Sequence, residues 1–210
     1  MLPGLYNPSA GAAAGFSVAF VSSTNYQNYN GTITMPTLEI GDIILVAQRM
    51  PQGVVQYYGT GFTAIQTVTA YWSQGRADWT ARGLLSYKIA TSGDSGSAIG
   101  GFANAGAEGA VVAVYRPSEP LTTVTLLNLS TSSLANPEGR TITASNSSLW
   151  TIAWCWSHGT ITFTPTPDFD ATSTYIKFKA IVQEPTATNV VANAGSATGN
   201  TTGYGYMEVS

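Results

Sequence analysis

A few groups of side chains in this 210-residue chain have types and spacings that could do chemistry. Gly93-Asp94-Ser95-Gly96-Ser97 has the form of a hydrolase nucleophile loop. A serine nucleophile needs a histidine hydrogen-bonded to it and a carboxylate behind that histidine. The chain has one histidine, His158, which follows Ser95, and no histidine signature precedes the serine; the segment reads as a glycine-serine turn. Cys155 and His158 are three residues apart, which on a strand puts them on opposite faces, where neither a dyad nor a metal pair can form. Asp168 and Asp170 would share a face of an extended segment, and Thr166 or Asp94 could add oxygens for calcium, but no EF-hand loop is present. The glycines at 93, 96, 100 and 101 do not follow a strand and open a helix, so no nucleotide fingerprint exists. We expect no catalytic residue, no cofactor and no metal.

Aromatic side chains with Asn and Gln between them offer a different chemistry. Tyr57, Tyr58, Trp72 and Trp79, with Tyr26 and Tyr29, could stack on sugar rings, which would make the chain a carbohydrate-binding adhesin for host-surface glycans.

Composition bounds these readings. Charged residues are only 9% of the chain and the net charge is −3, far from the usual quarter of charged residues. The eight basic residues are scattered, so no stripe exists to displace counterions from a phosphate backbone, and nucleic acid is not an expected partner. No apolar run reaches the roughly 18 residues that span a bilayer. Cys155 is the single cysteine, which excludes an intrachain disulfide. So few charges give little repulsion between copies, which suits a protein that lives packed against neighbours.

The elements that must position these residues read as strands. Residues 1–15 lack a basic region and are broken by Pro and Gly, so they form an extended arm whose apolar anchors, Leu2, Leu5 and Tyr6, can dock on a partner. Phe16–Val21 is a strand, followed by a polar loop from Ser22 to Asn30. Gly31–Pro36 alternates and is a further strand ended by Pro36. Ile43–Ala47 is apolar on both strand faces, so it must be central and covered twice, once by the opposite sheet and once by loops, an arm or a neighbouring chain. Thr63–Thr69 and Trp79–Ala90 read as strands, with Thr91–Gly101 a loop and Pro117–Pro120 the start of a looser connection. In the second half, Trp150, Ile152, Trp154 and Trp156 share one strand face. Burying about 200 Å² per tryptophan would contribute several kcal/mol at about 25 cal/mol per Å², which favours core over platform. No stretch shows helical periodicity, apart from a short turn near Ser132 to Ala135.

The motifs Gly41-Asp42 plus an apolar run, Gly61-Phe62-Thr63-Ala64, Leu85–Ala90 and Ala110–Tyr115 have weaker counterparts, in order, at Ser148–Trp154, Asp168–Ala171, Ile176–Ile181 and Tyr204–Val209. These mark pseudo-repeats at about 41–116 and 147–209 within one domain, 16–210. The expected fold is all-β, a two-sheet antiparallel sandwich of jelly-roll type.

The series Gly41-Asp42, Gly61-Phe62-Thr63, Tyr87-Lys88-Ile89-Ala90 and Ala113-Val114-Tyr115-Arg116 resembles β-sandwich proteins of tailed-bacteriophage virions. The second half departs from it, with Ser147-Ser148 where the first has Gly-Asp. The resemblance implies a non-enzymatic virion component, a head-decoration, head-fibre or tail-associated protein. It would assemble with other virion proteins as a homo-oligomer, with a trimer the first guess, and the family brings no catalytic residues with it.

Overall fold

The structure, a computed structural model, describes residues 15–27, 31–51, 58–71, 80–102, 109–132, 140–142, 149–157, 160–172, 176–185, 190–194 and 202–210. The arm residues Leu2, Leu5 and Tyr6 lie outside the described residues. The strands are β1 (Val18–Gln27), β2 (Ile33–Thr34), β3 (Ile43–Pro51), β4 (Thr63–Tyr71), β5 (Thr80–Ile89), β6 (Ala98–Ile99), β7 (Gly109–Pro117), β8 (Val124–Ser132), β9 (Arg140–Ile142), β10 (Trp150–Ser157), β11 (Ile161–Thr164), β12 (Phe169–Thr172), β13 (Lys177–Gln183), β14 (Val190–Ala194) and β15 (Thr202–Val209). No helix occurs among the described residues, and the fold is all-β and antiparallel.

Among the described residues the strands form two large sheets, as expected of a sandwich, and two small ones. One large sheet has the order β1-β7-β3-β5-β4 and the other β12-β13-β10-β15-β8; two small ones have the orders β2-β6 and β11-β14-β9. The large sheets face each other across a core of Ile43, Leu45, Ala47, Val111, Ala113 and Tyr115 on one side and Ile152, Trp154, Trp156, Phe178, Met207 and Val209 on the other.

The small sheets cover the outer faces. Ile33, Met35, Ile99 and Phe102 pack on Ile44, Val46, Val112 and Val114, while Ile161 and Phe163 pack on Ala153, Cys155, Ile181, Tyr204 and Tyr206. β3, β7, β10 and β15 are thus apolar on both faces because each lies inside a stack of layers. The second cover over Ile43–Ala47 comes from the same half of the chain, with neither an arm nor a neighbouring chain needed.

Several strand limits differ from the sequence reading. β1 continues to Gln27 through the polar residues read as a loop, because an edge strand tolerates alternating half-buried and exposed Ser, Thr and Asn. The alternation at Gly31–Pro36 yields only a two-residue strand, and the supposed loop Thr91–Gly101 contains its partner, β6. β8, β11 and β14 had no clear sequence signal. The segment at 133–135 read as a helical turn lies outside the described residues, and Ser132 ends β8.

Candidate functional site

Ser95 is held in a loop that uses its polar atoms for shape. Asp94 Oδ2 accepts the Thr91 N–H and the Thr91 hydroxyl, each at 2.8 Å, and Lys88 Nζ meets Oδ1 at 2.6 Å. The Ser97 hydroxyl donates to the Asp94 carbonyl at 2.7 Å. Burial alone would raise the Asp94 carboxyl, but the bonds from Lys88 and Thr91 win and hold it below its ordinary range. Ser95 Oγ accepts the Leu38 N–H at 2.9 Å, so the loop is stitched to the segment leading into β3. His158 lies outside the described residues.

Cys155 is fully buried against the small sheet. Burial pushes its thiol well up, with Lys179 pulling weakly the other way, so it is no thiolate at neutral pH. Asp168 and Asp170 are turned to different partners. Asp168 Oδ2 accepts the Val182 N–H at 2.7 Å, and Asp170 pairs with Lys179 Nζ at 2.7 Å. Among the described residues no three of His, Cys, Asp and Glu gather closely enough to hold a metal ion. No helix among them is long and apolar enough to cross a membrane.

Of the aromatics considered for sugar stacking, Tyr57, Tyr29, Trp72 and Trp79 lie outside the described residues. Tyr58 is half-buried; its backbone bridges Phe102 and its hydroxyl bonds Thr67 Oγ1. Tyr26 is half-buried and donates its hydroxyl to the Thr34 carbonyl.

The most elaborate polar constellation lies between the large sheets. Gln66 of β4 is buried, and its Oε1 accepts both indole N–H groups, from Trp154 at 3.1 Å and Trp156 at 3.2 Å. Its Nε2 donates to the Tyr204 carbonyl at 2.6 Å. One amide therefore satisfies two buried tryptophans and ties β4 to β15 across the core.

Trp156 fits because two glycines leave room for it. A Cβ on Gly83 of β5 or on Gly203 of β15 would overlap the ring, and Gly203 is its direct cross-strand neighbour. The tryptophan face was legible in the sequence as a run of alternate positions. Gln66, Gly83 and Gly203 were not, because their role depends on which strands face each other.

A second constellation fixes the turn into β3. Asp42, 1% exposed, accepts Arg116 Nε at 2.8 Å and Nη2 at 2.9 Å, and its Oδ2 also accepts the Glu39 N–H at 2.8 Å. Arg116 Nη1 meets Glu39 Oε1 at 2.6 Å. Gly41 takes φ +94°, a backbone state that strains any residue with a Cβ. The Gly-Asp motif and the arginine that ends β7 are thus one structural device. Beside β7, the buried Tyr115 hydroxyl lies close to Asp168 without making a well-formed hydrogen bond.

No protein-family model, curated protein or solved structure matches this chain. What the described polar groups can do is read from their geometry: they bond to one another and to the backbone, holding strands in place.

Proposed function

We propose that the protein is a non-enzymatic structural subunit of a tailed-phage virion, a surface-decoration, head-fibre or tail-associated protein built on jelly-roll winding. The observation that carries the reading is how the polar side chains of the described residues are used. Ser95, Asp94, Cys155, Asp168 and Gln66 each serve a strand, a loop or the core. The resemblance of the strand motifs to virion β-sandwich proteins supplies the setting, and the scarcity of charge suits a surface completed by neighbours. It assembles through protein-protein contacts, with itself and with other virion proteins, and the apolar arm, with Leu2, Leu5 and Tyr6, is the element that reaches a partner.

The test is made on purified particles. Mass spectrometry should find the chain at stoichiometric copy number, and gold-labelled antibody should decorate the head surface or the tail. Deleting residues 1–14 should abolish incorporation while the melting temperature stays unchanged. Particles that lack the chain would overturn the proposal.

A further inference from the structure

We infer that the face each half of the chain presents to the other is a homotypic dimerisation face, so that the protein is two copies of one β unit joined in tandem across a pseudo-twofold axis. The partner that each inner face fits is another unit of the same kind. This inference is independent of the virion reading, because it rests on strand order, register and contacts within the chain.

Strand order is the first observation. Taking β1, β3, β4, β5 and β7 in turn to β8, β10, β12, β13 and β15 converts the order β1-β7-β3-β5-β4 into β8-β15-β10-β13-β12, which is the second large sheet. The small sheets follow the same substitution. β2 pairs with β6 as β9 pairs with β14, and the bridge of Tyr58 to Phe102, just beyond β6, stands where β11 pairs with β14.

Register is the second observation. Ile43 pairs with Tyr115 in the first sheet and Trp150 with Val209 in the second, and these are the positions that the sequence counterparts place in correspondence. The outer strands β1 and β8 each carry a bulge against their neighbour.

Reciprocity is the third, and it distinguishes a dyad from a mere repeat. β1 lies over β12: Phe20 stacks on Phe169 at 5.4 Å, and Asn25 Nδ2 donates to the Thr172 carbonyl at 3.2 Å. Its counterpart β8 lies against β4, the counterpart of β12. Element i of one unit thus meets element j of the other, and j meets i, which is the signature of an isologous interface.

The two copies have diverged where they meet. Under the same correspondence Ala47 stands opposite Trp154 and Arg49 opposite Trp156, so the second unit supplies the large rings and the first supplies Gly83 to receive one. Divergence of this kind suits units that no longer exchange partners.

A dyad makes a quantitative demand on chain connections. Eight residues, 116–123, link Tyr115 to Val124, the start of β8. Phe20 pairs with Tyr115 as Val124 pairs with Val209, so the symmetry-related gap runs from Val209 to Phe20, and eight residues must also suffice there. The surroundings agree: Thr122 and Thr123 donate their N–H groups to the Ser210 carbonyl, and Ser118 Oγ donates to the Gly15 carbonyl at 2.9 Å, so Gly15 and Ser210 both reach the connector.

The experiment is circular permutation. In one variant the whole chain is reopened between Glu119 and Pro120, with Ser210 joined directly to Met1. In the second, residues 1–12 are also removed, so that Ser210 and residues 13–19 make the eight-residue link. Both are expected to fold as soluble protein, melting within about 4 °C of the parent and with the same blue-shifted tryptophan emission. Folding of the long-linked variant alone would show that the gap exceeds what a dyad allows and overturn the inference. Failure of both would overturn it as well, since a pair of like units has no required chain order.

Discussion

Trp156 shows how single residues decide the core. Its ring lies against two glycines on two sheets, and its indole N–H shares an acceptor with that of Trp154. Gly83→Ala is therefore expected to cost about 1–3 kcal/mol, the usual penalty for overpacking, although alanine elsewhere in a strand would be neutral or better. Trp156→Phe should cost stability alone but relieve Gly83→Ala, so the double mutant should be more stable than the sum of the single effects predicts. Urea denaturation of the four proteins measures this, and strict additivity would contradict the contact.

Asp168 offers a test with the opposite sense. Burial raises its carboxyl above the ordinary value, only partly offset by the Val182 N–H and the Tyr115 hydroxyl. The folded protein then keeps a proton that the unfolded chain has released. Its contribution is fully present below the unfolded value and fades as pH rises through the raised one. Asp168→Asn keeps an acceptor for Val182 and should remove this dependence, leaving the variant as stable as the parent or more so at pH 7. Melting curves from pH 3 to 8 check it; a variant that is less stable at pH 7 but matches the parent at pH 3 would show that the carboxylate stabilises the fold.

At the scale of elements, the turn before β3 is set by one buried carboxylate. Asp42→Ala would leave Arg116 with Glu39 alone and the Glu39 N–H without its acceptor; because the Arg116 side chain is 33% exposed and stays partly solvated, the loss is about 1–3 kcal/mol. Arg116→Lys keeps the charge but not the two-pronged geometry, so it should lose part of that amount. Chemical denaturation ranks the three proteins, and equal stability of the lysine variant and the parent would show that charge alone matters.

The elements also show what a sequence can disclose. Strands with apolar residues on both faces, such as Ile43–Ala47, announce their central place, and the alternate tryptophans at 150, 154 and 156 announce the inner face. Edge strands such as β1 and β8 are half polar, and β2, β6 and β11 are too short for a period to register, so both kinds were missed or truncated. Gln66 carried no signal at all, because an amide becomes a hub only when two indoles arrive from another sheet.

For the whole molecule, the number of charges left to keep copies apart is the governing quantity. Only eight basic and eleven acidic residues occur in 210, and several are tied up: Arg116 with Asp42 and Glu39, Lys88 with Asp94, and Lys179 with Asp170. Charges neutralised in pairs contribute little to the long-range repulsion that keeps a protein monomeric. The exposed edges add to this, since β1 presents ten residues without a charged side chain or a proline, and such edges invite a further strand unless a bulge blunts them. At micromolar concentration light scattering should therefore report a mass well above the 22.0 kDa of one chain, three copies being the first expectation. Moderate salt should not dissociate the assembly, because apolar and backbone contacts are not screened. A monodisperse species at the mass of one chain would show that these edges are sufficiently blunted by their bulges, and that association needs a different protein as its template.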